Sequence, residues 1–361
     1  MKQSIQETSA RSLFSRCAKK ATACVLSAVL LLACCPLALA AEHDPDPLTA
    51  QELAQMTNEQ IAALSQEQSD ATLNKMAQLF QDGEKQALDE YLSALGFATT
   101  YEEYADQQGW NEEEQPDTEP SIQPMWQSDY DGKEPDKQCH ETLTGYGFLM
   151  YIGAMNQLFG IAGSFGYTLS EMQLLMTESA WPDKWDIGVL FDCHFYDPDS
   201  GTNWRGSSIT TARDSAIFYY QQAISNYKSG DRNTAIKSLA HCIHYVQDVG
   251  EPHHSSNAIS FIGDPYNHSG FEQLASQMLL EEDCLSQINM EYDINYYNAK
   301  INQHIGSLVH EIASFSKPFY PMASDKDNVN GQRFILYFLL SYSARDTSGV
   351  LYKFAKEVGM I

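Results

Sequence analysis

One stretch of seventeen residues, HCIHYVQDVGEPHHSSN (241–257), constrains this chain more than any other segment. It carries four of the ten histidines of the sequence beside Asp248 and Glu251. Residues four apart on an α-helix lie on the same face, so His244 and Asp248 can bind the same ion. The stretch therefore predicts a helix that presents ligands to a metal.

The helix is predicted to end at Gly250 and Pro252, and His254 follows from the turn. Fourteen residues further on, His268 and Glu272 repeat the spacing of four. A single His-x3-Asp pair is usually an ordinary surface or core pair. Two such pairs, separated by a turn that carries another histidine, favour a metal site.

Further donors lie upstream. The loop DCHFYDPDSG contains His194, and WPDKWD contains Asp183 and Asp186. Nitrogen and oxygen donors without paired thiolates are typical of zinc, and a carboxylate between histidines fits a bridged hydrolytic site with several metals.

The region 126–361 is predicted to be a single all-α domain. Helical patterns occur in HETLTGYGFLMYIGAMNQLFGIAG, SSITTARDSAIFYYQQAISNYKSGD, RNTAIKSLAHCIHYVQDVG, FEQLASQMLLEEDCLSQI, NAKINQHIGSLVHEIASFS and NGQRFILYFLLSYSARDTSGVLYKFAKEVG. There is no alternating strand pattern and no glycine-rich nucleotide loop.

The first 40 residues have the form of a secretory signal peptide, because a basic start precedes the apolar run ATACVLSAVLLLACCPLALA. We expect cleavage after Ala40 and a secreted protein. A lipoprotein anchor at Cys34 is a minor alternative.

Residues 41–125 hold 19 acidic residues and two lysines, and end in an acidic proline-containing linker. We interpret them as a pro-segment of two or three small helices and disordered linker. An ordinary interaction arm is the alternative. The strongly acidic protein argues against a nucleic-acid partner, since phosphate backbones favour basic clusters.

Outside the signal region four cysteines remain: Cys139, Cys193, Cys242 and Cys284. In an exported protein they can pair, with three connectivities open. Three of them lie close to a histidine, but neighbours along a chain usually point in different directions.

The stretch HYVQDVGEPHHSSN resembles the signature of the zinc-dependent bacterial phospholipase C family, His-Tyr-x-(Gly/Thr)-Asp-x-x-x-Pro-x-His-x-x-Asn. When the stretch is aligned with that signature, the family's metal ligands correspond to His244, Asp248 and His254. The family's downstream His and Glu, four apart, match His268 and Glu272. The family is related to the zinc-dependent single-strand nucleases.

The resemblance extends upstream. The family's HFYDPD loop occurs around His194 with an identical sequence. The family also has an aspartate ligand about a dozen residues before that histidine, and Asp183 matches it. In the family the mature chain begins with a tryptophan whose amine and carbonyl bind zinc together with a later histidine. Trp126 and His140 match that pair.

Two positions depart from the family. Gln247 stands where a small residue is usual, just before Asp248. Trp126 lies far beyond the signal peptide, so its amine becomes available only if a protease cuts after Met125.

The resemblance implies a compact all-α catalytic domain of eight to ten helices around three zinc ions, bridged by Asp248. The first ion has His194, His244, Asp183 and Asp248; the second has Trp126, His140 and Asp248; the third has His254, His268 and Glu272. Asp183 is the expected general base. The reaction implied is cleavage of the glycerol-side phosphodiester of a phosphatidylcholine-type lipid.

A headgroup pocket is implied by Asp129 and Phe191, with Lys184 in place of an aromatic residue. An acid beside an aromatic ring suits a quaternary ammonium, and Lys184 weakens that fit. His241 is a candidate for a supporting position. The remaining histidines and acids near the motif have no assigned metal: Glu251, His253, His304 and His310.

We expect a monomer that acts at a membrane or micelle surface after a maturing protease has removed the pro-segment. Since the helical pattern runs to Ile361, we expect a single-domain enzyme and no two-domain lytic toxin. A single-strand nuclease is the rival enzyme, although its second His-x3-acid pair usually lies farther from Pro-x-His. A secreted metal-binding or adhesion protein is the alternative without catalysis.

Overall fold

The computed structural model describes residues 45–97, 139–160, 163, 165–186, 188, 191–260, 264–280 and 292–361. Within this part of the chain the protein is all-α, as predicted, with fifteen α-helices and two short 3-10 helices. Its β pairing there is limited to an isolated bridge between Asp197 and Thr202.

Four helices precede the predicted catalytic region. They are α1 (Ala50–Leu53), α2 (Asn58–Ala62), α3 (Gln66–Gln81) and α4 (Lys85–Ala94). Capping boxes begin α1 and α2: the hydroxyl of Thr49 or Thr57 accepts a backbone N–H, and the third helical residue reaches back to the cap. The predicted signal peptide and acidic linker, together with Trp126 and Asp129, lie outside the described residues.

The remaining helices surround the ligand-rich segments. They are α5 (Cys139–Phe159), α6 (Leu169–Ser179), α7 (Trp181–Trp185), α8 (Ala212–Lys228), α9 (Arg232–Asp248), α10 (Pro252–Ser255), α11 (His268–Leu280), α12 (Ile294–Asn302), α13 (Ile305–Ser316), α14 (Tyr320–Ala323) and α15 (Val329–Val358). The 3-10 helices are Asp192–His194 and Lys317–Phe319.

Helices α5 and α9 form the centre of the bundle. Helix α9 packs on α6 and α8, while α5 packs on α3, α6 and α15. The approach of α5 to α15 depends on Gly147, because a Cβ there would lie 2.5 Å from Cβ of Thr347. This close packing brings the first turn of α5 beside the end of α9.

The helices of residues 45–97 share the hydrophobic core of residues 139–361. Leu73 and Phe80 are fully buried in that core, and the Phe80 ring lies 5.2 Å from the Tyr146 ring, centroid to centroid. The Gln66 amide donates a hydrogen bond to the carbonyl of Tyr167. Whether the chain is cut between these two regions stays a prediction.

Several elements differ from the helical patterns predicted from sequence, among them the short helices α7, α10 and α14, which were not predicted. Helix α6 was not predicted, although Thr168 and Glu171 form a capping box at its start. The pattern NAKINQHIGSLVHEIASFS is divided into α12 and α13, because Gln303 is extended and the His304 ring caps α13 by accepting from the Gly306 N–H. None of the helices described is both long enough and apolar enough to cross a bilayer.

Candidate metal centre

Helix α9 presents His244 and Asp248 on its buried face. Both side chains are fully buried, and Nε2 of His244 lies 3.2 Å from Oδ2 of Asp248. The helix stops directly afterwards at Gly250, where a Cβ would lie 2.6 Å from Oγ of Ser343. The predicted helix and its break are therefore both present, and the break places Asp248 in the last turn.

Two further donors reach the same point from short elements. Asp183 comes from α7, and His194 from the 3-10 helix before the loop. Nδ1 of His194 lies 2.9 Å from Oδ2 of Asp248 and 3.0 Å from Nε2 of His244. Oδ1 of Asp183 lies 3.4 Å from Nε2 of His244 and 3.7 Å from Nδ1 of His194.

These distances match a tetrahedral ion. Donors about 2.05 Å from a tetrahedral zinc are about 3.4 Å from one another. The five separations among the atoms of Asp183, His194, His244 and Asp248 run from 2.9 to 3.7 Å. The four residues predicted to share the first ion therefore surround a volume of the right size.

His140, in the first turn of α5, faces the opposite oxygens of the two carboxylates. Its Nε2 lies 3.4 Å from Oδ1 of Asp248 and 3.8 Å from Oδ2 of Asp183. Each carboxylate thus turns one oxygen toward His194 and His244 and the other toward His140. This geometry suits the predicted bridge by Asp248. Asp183 is oriented in the same way, with one oxygen toward each side.

Four of the five predicted ligand imidazoles, those of His140, His194, His244 and His254, have the far nitrogen held by an oxygen. Backbone carbonyls accept from three of them: Ser179 from His244 Nδ1 at 2.8 Å, Asp186 from His194 Nε2 at 3.1 Å, and His194 from His254 Nδ1 at 2.8 Å. Nδ1 of His140 lies 2.7 Å from Oε1 of Gln247. Because these oxygens can only accept, the other ring nitrogen is left with a lone pair, as metal-binding histidines require.

A second buried group lies beyond the break in α9. Nε2 of His268 is 3.0 Å from Oε1 of Glu272, and Nε2 of His254 is 3.5 Å from the same oxygen. Glu251 faces His268 as well, with Oε2 3.7 Å from its Nε2. The residues predicted to hold the third ion are therefore together, with one additional acid.

Charge and burial favour metal binding by these groups. Burial alone raises the pKa of Asp248, but the nearby charges of His244, His254 and His194 hold that pKa well below its usual range. Burial lowers the pKa of His244, and burial together with the charge of His253 lowers the pKa of His268 to about 3. Burial disfavours the charged form of His140 and of His194, but Asp248 and Asp183 raise the pKa of His140 to about 9, and Cys193 and Asp248 raise that of His194. The carboxylate is thus ionised, and a bound metal would displace protons from these two rings.

Several buried atoms of the two groups have no hydrogen-bond partner among the described residues, among them Oδ1 of Asp248, Nε2 of His254 and Nε2 of His268. Leaving such atoms unpaired in a protein interior costs free energy. Three sets of donor atoms, each within 4.8 Å of one another, occur in this part of the chain. The donors are nitrogen and oxygen only, so the residues present fit a multinuclear zinc centre.

Eight of the nine predicted ligands are thus gathered in two adjoining groups, and their roles as ligands stay predictions. The ninth, Trp126, lies outside the described residues, as does Asp129 of the predicted headgroup pocket. Phe191 is half-buried with its ring 5.8 Å from that of His194. Lys184 is exposed above the Trp185 ring.

The other histidines have structural partners. The His241 ring stacks on Trp181 at 4.4 Å, and its Nε2 lies 3.3 Å from Glu178. His304 caps α13, and His310 is paired with the Tyr196 hydroxyl. Cys193 and Cys242 are buried free thiols, Cys139 is also buried, and Cys284 lies outside the described residues.

Two residues at the centre were not assigned from the sequence. Gln247 is fully buried, and its amide nitrogen donates to the hydroxyls of Thr144 and Thr347, so its oxygen is held toward His140. Asp186 orients His194 through its backbone, and its carboxylate accepts hydrogen bonds from the hydroxyls of Tyr219 and Tyr245. The first departure from the family pattern is therefore a side chain that orients a histidine.

Comparison with known proteins gives relatives that are all phospholipases C. The chain is 27% identical to a phospholipase C of Listeria monocytogenes over 120 residues, which is 30% of this chain and 40% of the relative. It is 32% identical to a phospholipase C of Bacillus cereus over 82 residues, or 23% of this chain and 29% of the relative. The matched segments thus span less than half of those relatives.

The fold is similar to a solved structure, the alpha toxin from Clostridium absonum. The TM-score is 0.51 and the sequence identity 15%, over 64% of this chain and 67% of the toxin. That likeness concerns the fold alone. No family model matches the chain.

Proposed function

We propose, from the membership of this chain in the zinc-dependent bacterial phospholipase C family, that it is a secreted zinc phosphodiesterase that hydrolyses phospholipids. The bond cleaved is the one between phosphate and glycerol, and the products are diacylglycerol and a phosphorylated headgroup. The observation that carries the proposal is the pair of carboxylates, Asp183 and Asp248, held between three imidazoles with oxygens turned to both sides.

Three ions are assigned to the donors. His194, His244, Asp183 and Asp248 would hold the first; His140 and Asp248, with the amine and carbonyl of Trp126, would hold the second; His254, His268 and Glu272 would hold the third. Bound zinc supplies Lewis acidity, which lowers the pKa of water and stabilises a leaving alkoxide.

The protein's own contribution is orientation and proton transfer. The backbone carbonyls of Ser179 and Asp186 keep the rings of His244 and His194 in one tautomer. Asp183 accepts the proton of the attacking water, since its carboxylate lies within the cluster and can reach both sides. Burial of the whole cluster strengthens these electrostatic effects.

Headgroup recognition is assigned to Asp129 and Phe191. Phe191 lies next to the centre through its contact with His194. Lys184, on the exposed side of α7, replaces an aromatic ring, and we therefore propose a weaker choline preference than a fully aromatic pocket would give. Lys184→Tyr is the variant that tests this step.

Maturation is the second part of the proposal. Residues 1–40 direct export, and a protease cuts the acidic segment 41–125 after Met125, which frees the amine of Trp126 as a zinc donor. N-terminal sequencing of the secreted protein tests the cut directly. A chain that begins at Trp126 and holds one more zinc than the uncut chain is the expected result.

The decisive experiment compares substrates on zinc-loaded protein, cut and uncut. We expect release of phosphorylated headgroup from phosphatidylcholine vesicles and no cleavage of single-stranded DNA. Cleavage of DNA alone would favour the nuclease, and no cleavage of either by zinc-replete cut protein would favour a metal-binding or adhesion protein. Phosphatidylethanolamine and phosphatidylserine vesicles then rank the headgroups, and a preference for anionic lipid would refute choline recognition.

A further inference from the structure

Glu251 is the buried charge at the centre that the assignment above leaves unused. It is fully buried, in the turn between α9 and α10. Oε2 accepts hydrogen bonds from the backbone N–H groups of His253 and His254, at 2.6 and 2.9 Å. The carboxylate is thus fixed in direction by the backbone of α10.

His253 supports the carboxylate from behind. Its Nε2 donates to the backbone carbonyl of Tyr266 at 2.8 Å, and its Nδ1 lies 2.5 Å from Oε1 of Glu251. The contact with His253 holds Oε1 of Glu251 in place and leaves Oε2 toward His268.

The atoms on the other side of Glu251 are ligand atoms. Oε2 is 3.7 Å from Nε2 of His268, which is itself 3.0 Å from Oε1 of Glu272. Nε2 of His254 is the fourth atom of the group and lies 3.5 Å from the same Glu272 oxygen. These three separations bracket the edge of about 3.4 Å that a tetrahedral zinc requires.

We propose that Glu251 is a fourth protein donor to the third metal ion, beside His254, His268 and Glu272. The inference rests on the proposed zinc enzyme and adds a residue to it. Two carboxylates neutralise a divalent ion, and four protein donors fill a tetrahedral site.

Glu251 and His254 belong to the cap and body of α10, whereas His268 and Glu272 belong to α11. An ion held by all four would therefore tie α10 to α11.

The test measures metal retention by the uncut chain, because all four donors lie in the described residues and need no cleavage. Glu251→Gln keeps an oxygen that can accept the two N–H bonds but removes the charge. Glu251→Asp keeps a good helix cap and withdraws the carboxylate by one carbon–carbon bond, about 1.5 Å. His268→Ala defines the loss of the whole site.

We expect both Glu251 variants to lose the third ion to a competing chelator at a concentration at least tenfold lower than the wild type, since even groups behind the ligands affect affinity by about 10–100-fold. In Co2+-substituted protein the variants should lose the part of the four-coordinate absorption that His268→Ala also loses. Glu171→Asp, at the capping glutamate of α6 bound to Arg232, is the matched control and should retain all ions.

Wild-type retention of the third ion by either Glu251 variant would overturn the proposal. This readout is independent of catalysis: protein that binds the ions but cleaves no phospholipid would refute the proposed function and leave the role of Glu251 to be judged by metal content alone.

Discussion

Replacement of Phe80 by alanine tests whether residues 45–97 belong to the same folding unit as the metal centre. Phe80 is fully buried on α3 and contacts Tyr146 of α5, the helix that begins beside His140. Truncation of a buried phenylalanine costs about 3–5 kcal/mol, from lost burial and from the cavity left behind.

The size of the expected shift follows from the size of the unit. For a domain of this length a loss of 1 kcal/mol lowers the Tm by about 2 °C, so Phe80→Ala should lower it by about 6–10 °C. If α1–α4 and the later helices unfold together, circular dichroism at 222 nm and tryptophan fluorescence should show one shifted transition. Phe334→Ala is the matched control, because Phe334 is 61% exposed and its truncation should change the free energy of unfolding by less than about 0.5 kcal/mol.

Two outcomes would refute this reasoning. One is a separate early transition for residues 45–97, with the main transition at the wild-type Tm. The other is a shift no larger than that of Phe334→Ala. A single shifted transition would instead mean that cleavage after Met125 leaves the segment 45–97 bound, since its apolar side chains would otherwise be exposed to water.

Three further predictions concern the centre and its surroundings. Asp248→Asn removes the charge shared by the first two sites, so metal analysis should show loss of two ions and the hydrolysis of phosphatidylcholine should disappear; retention of both ions would contradict the bridging role. Gln247→Ala frees Nδ1 of His140, and chelator competition should show an affinity for the second ion lower by about 10–100-fold, while Gln221→Ala on the surface of α8 should have no effect. Burial raises the pKa of Asp197, but hydrogen bonds from Lys317 and the backbone hold it below its usual value, so the ion pair stabilises the fold at neutral pH and this contribution is lost as the pH falls through the lowered pKa. Asp197→Asn should therefore cost up to about 1 kcal/mol at pH 7 in urea unfolding, and progressively less as the pH is lowered below about 4; a cost that does not change with pH would exclude the ion pair as its cause.

The ligand spacing was predictable from sequence because it is local. His244 with Asp248 and His268 with Glu272 each occupy one helix face, and Gly250 with Pro252 ends α9 where the structure ends it. Periodicity of this kind depends on helix geometry alone. The all-α fold follows from the same patterns over the rest of the chain.

The contacts that fix the centre were not predictable in this way, because they join distant segments. Gln247 meets His140 across 107 positions of sequence, and Glu251 meets His268 only after the turn has folded back. The packing of α3 on α5 likewise depends on tertiary structure, so composition alone indicated an acidic segment outside the core. Helix α6 was missed although its capping box is visible in the sequence as Thr168 and Glu171.

The carbonyl oxygens that orient the histidines also determine how the centre tolerates genetic change. For His244, His194 and His254 the orienting atom belongs to the main chain, and no side-chain substitution at Ser179 or Asp186 can delete it. His140 is the exception, because its orienting oxygen is carried by a replaceable side chain. In a saturation library the orienting position at Ser179 should accept other small residues, while position 247 should accept few. Sequence variation at this centre is therefore expected first at the positions that supply main-chain carbonyls and last at position 247.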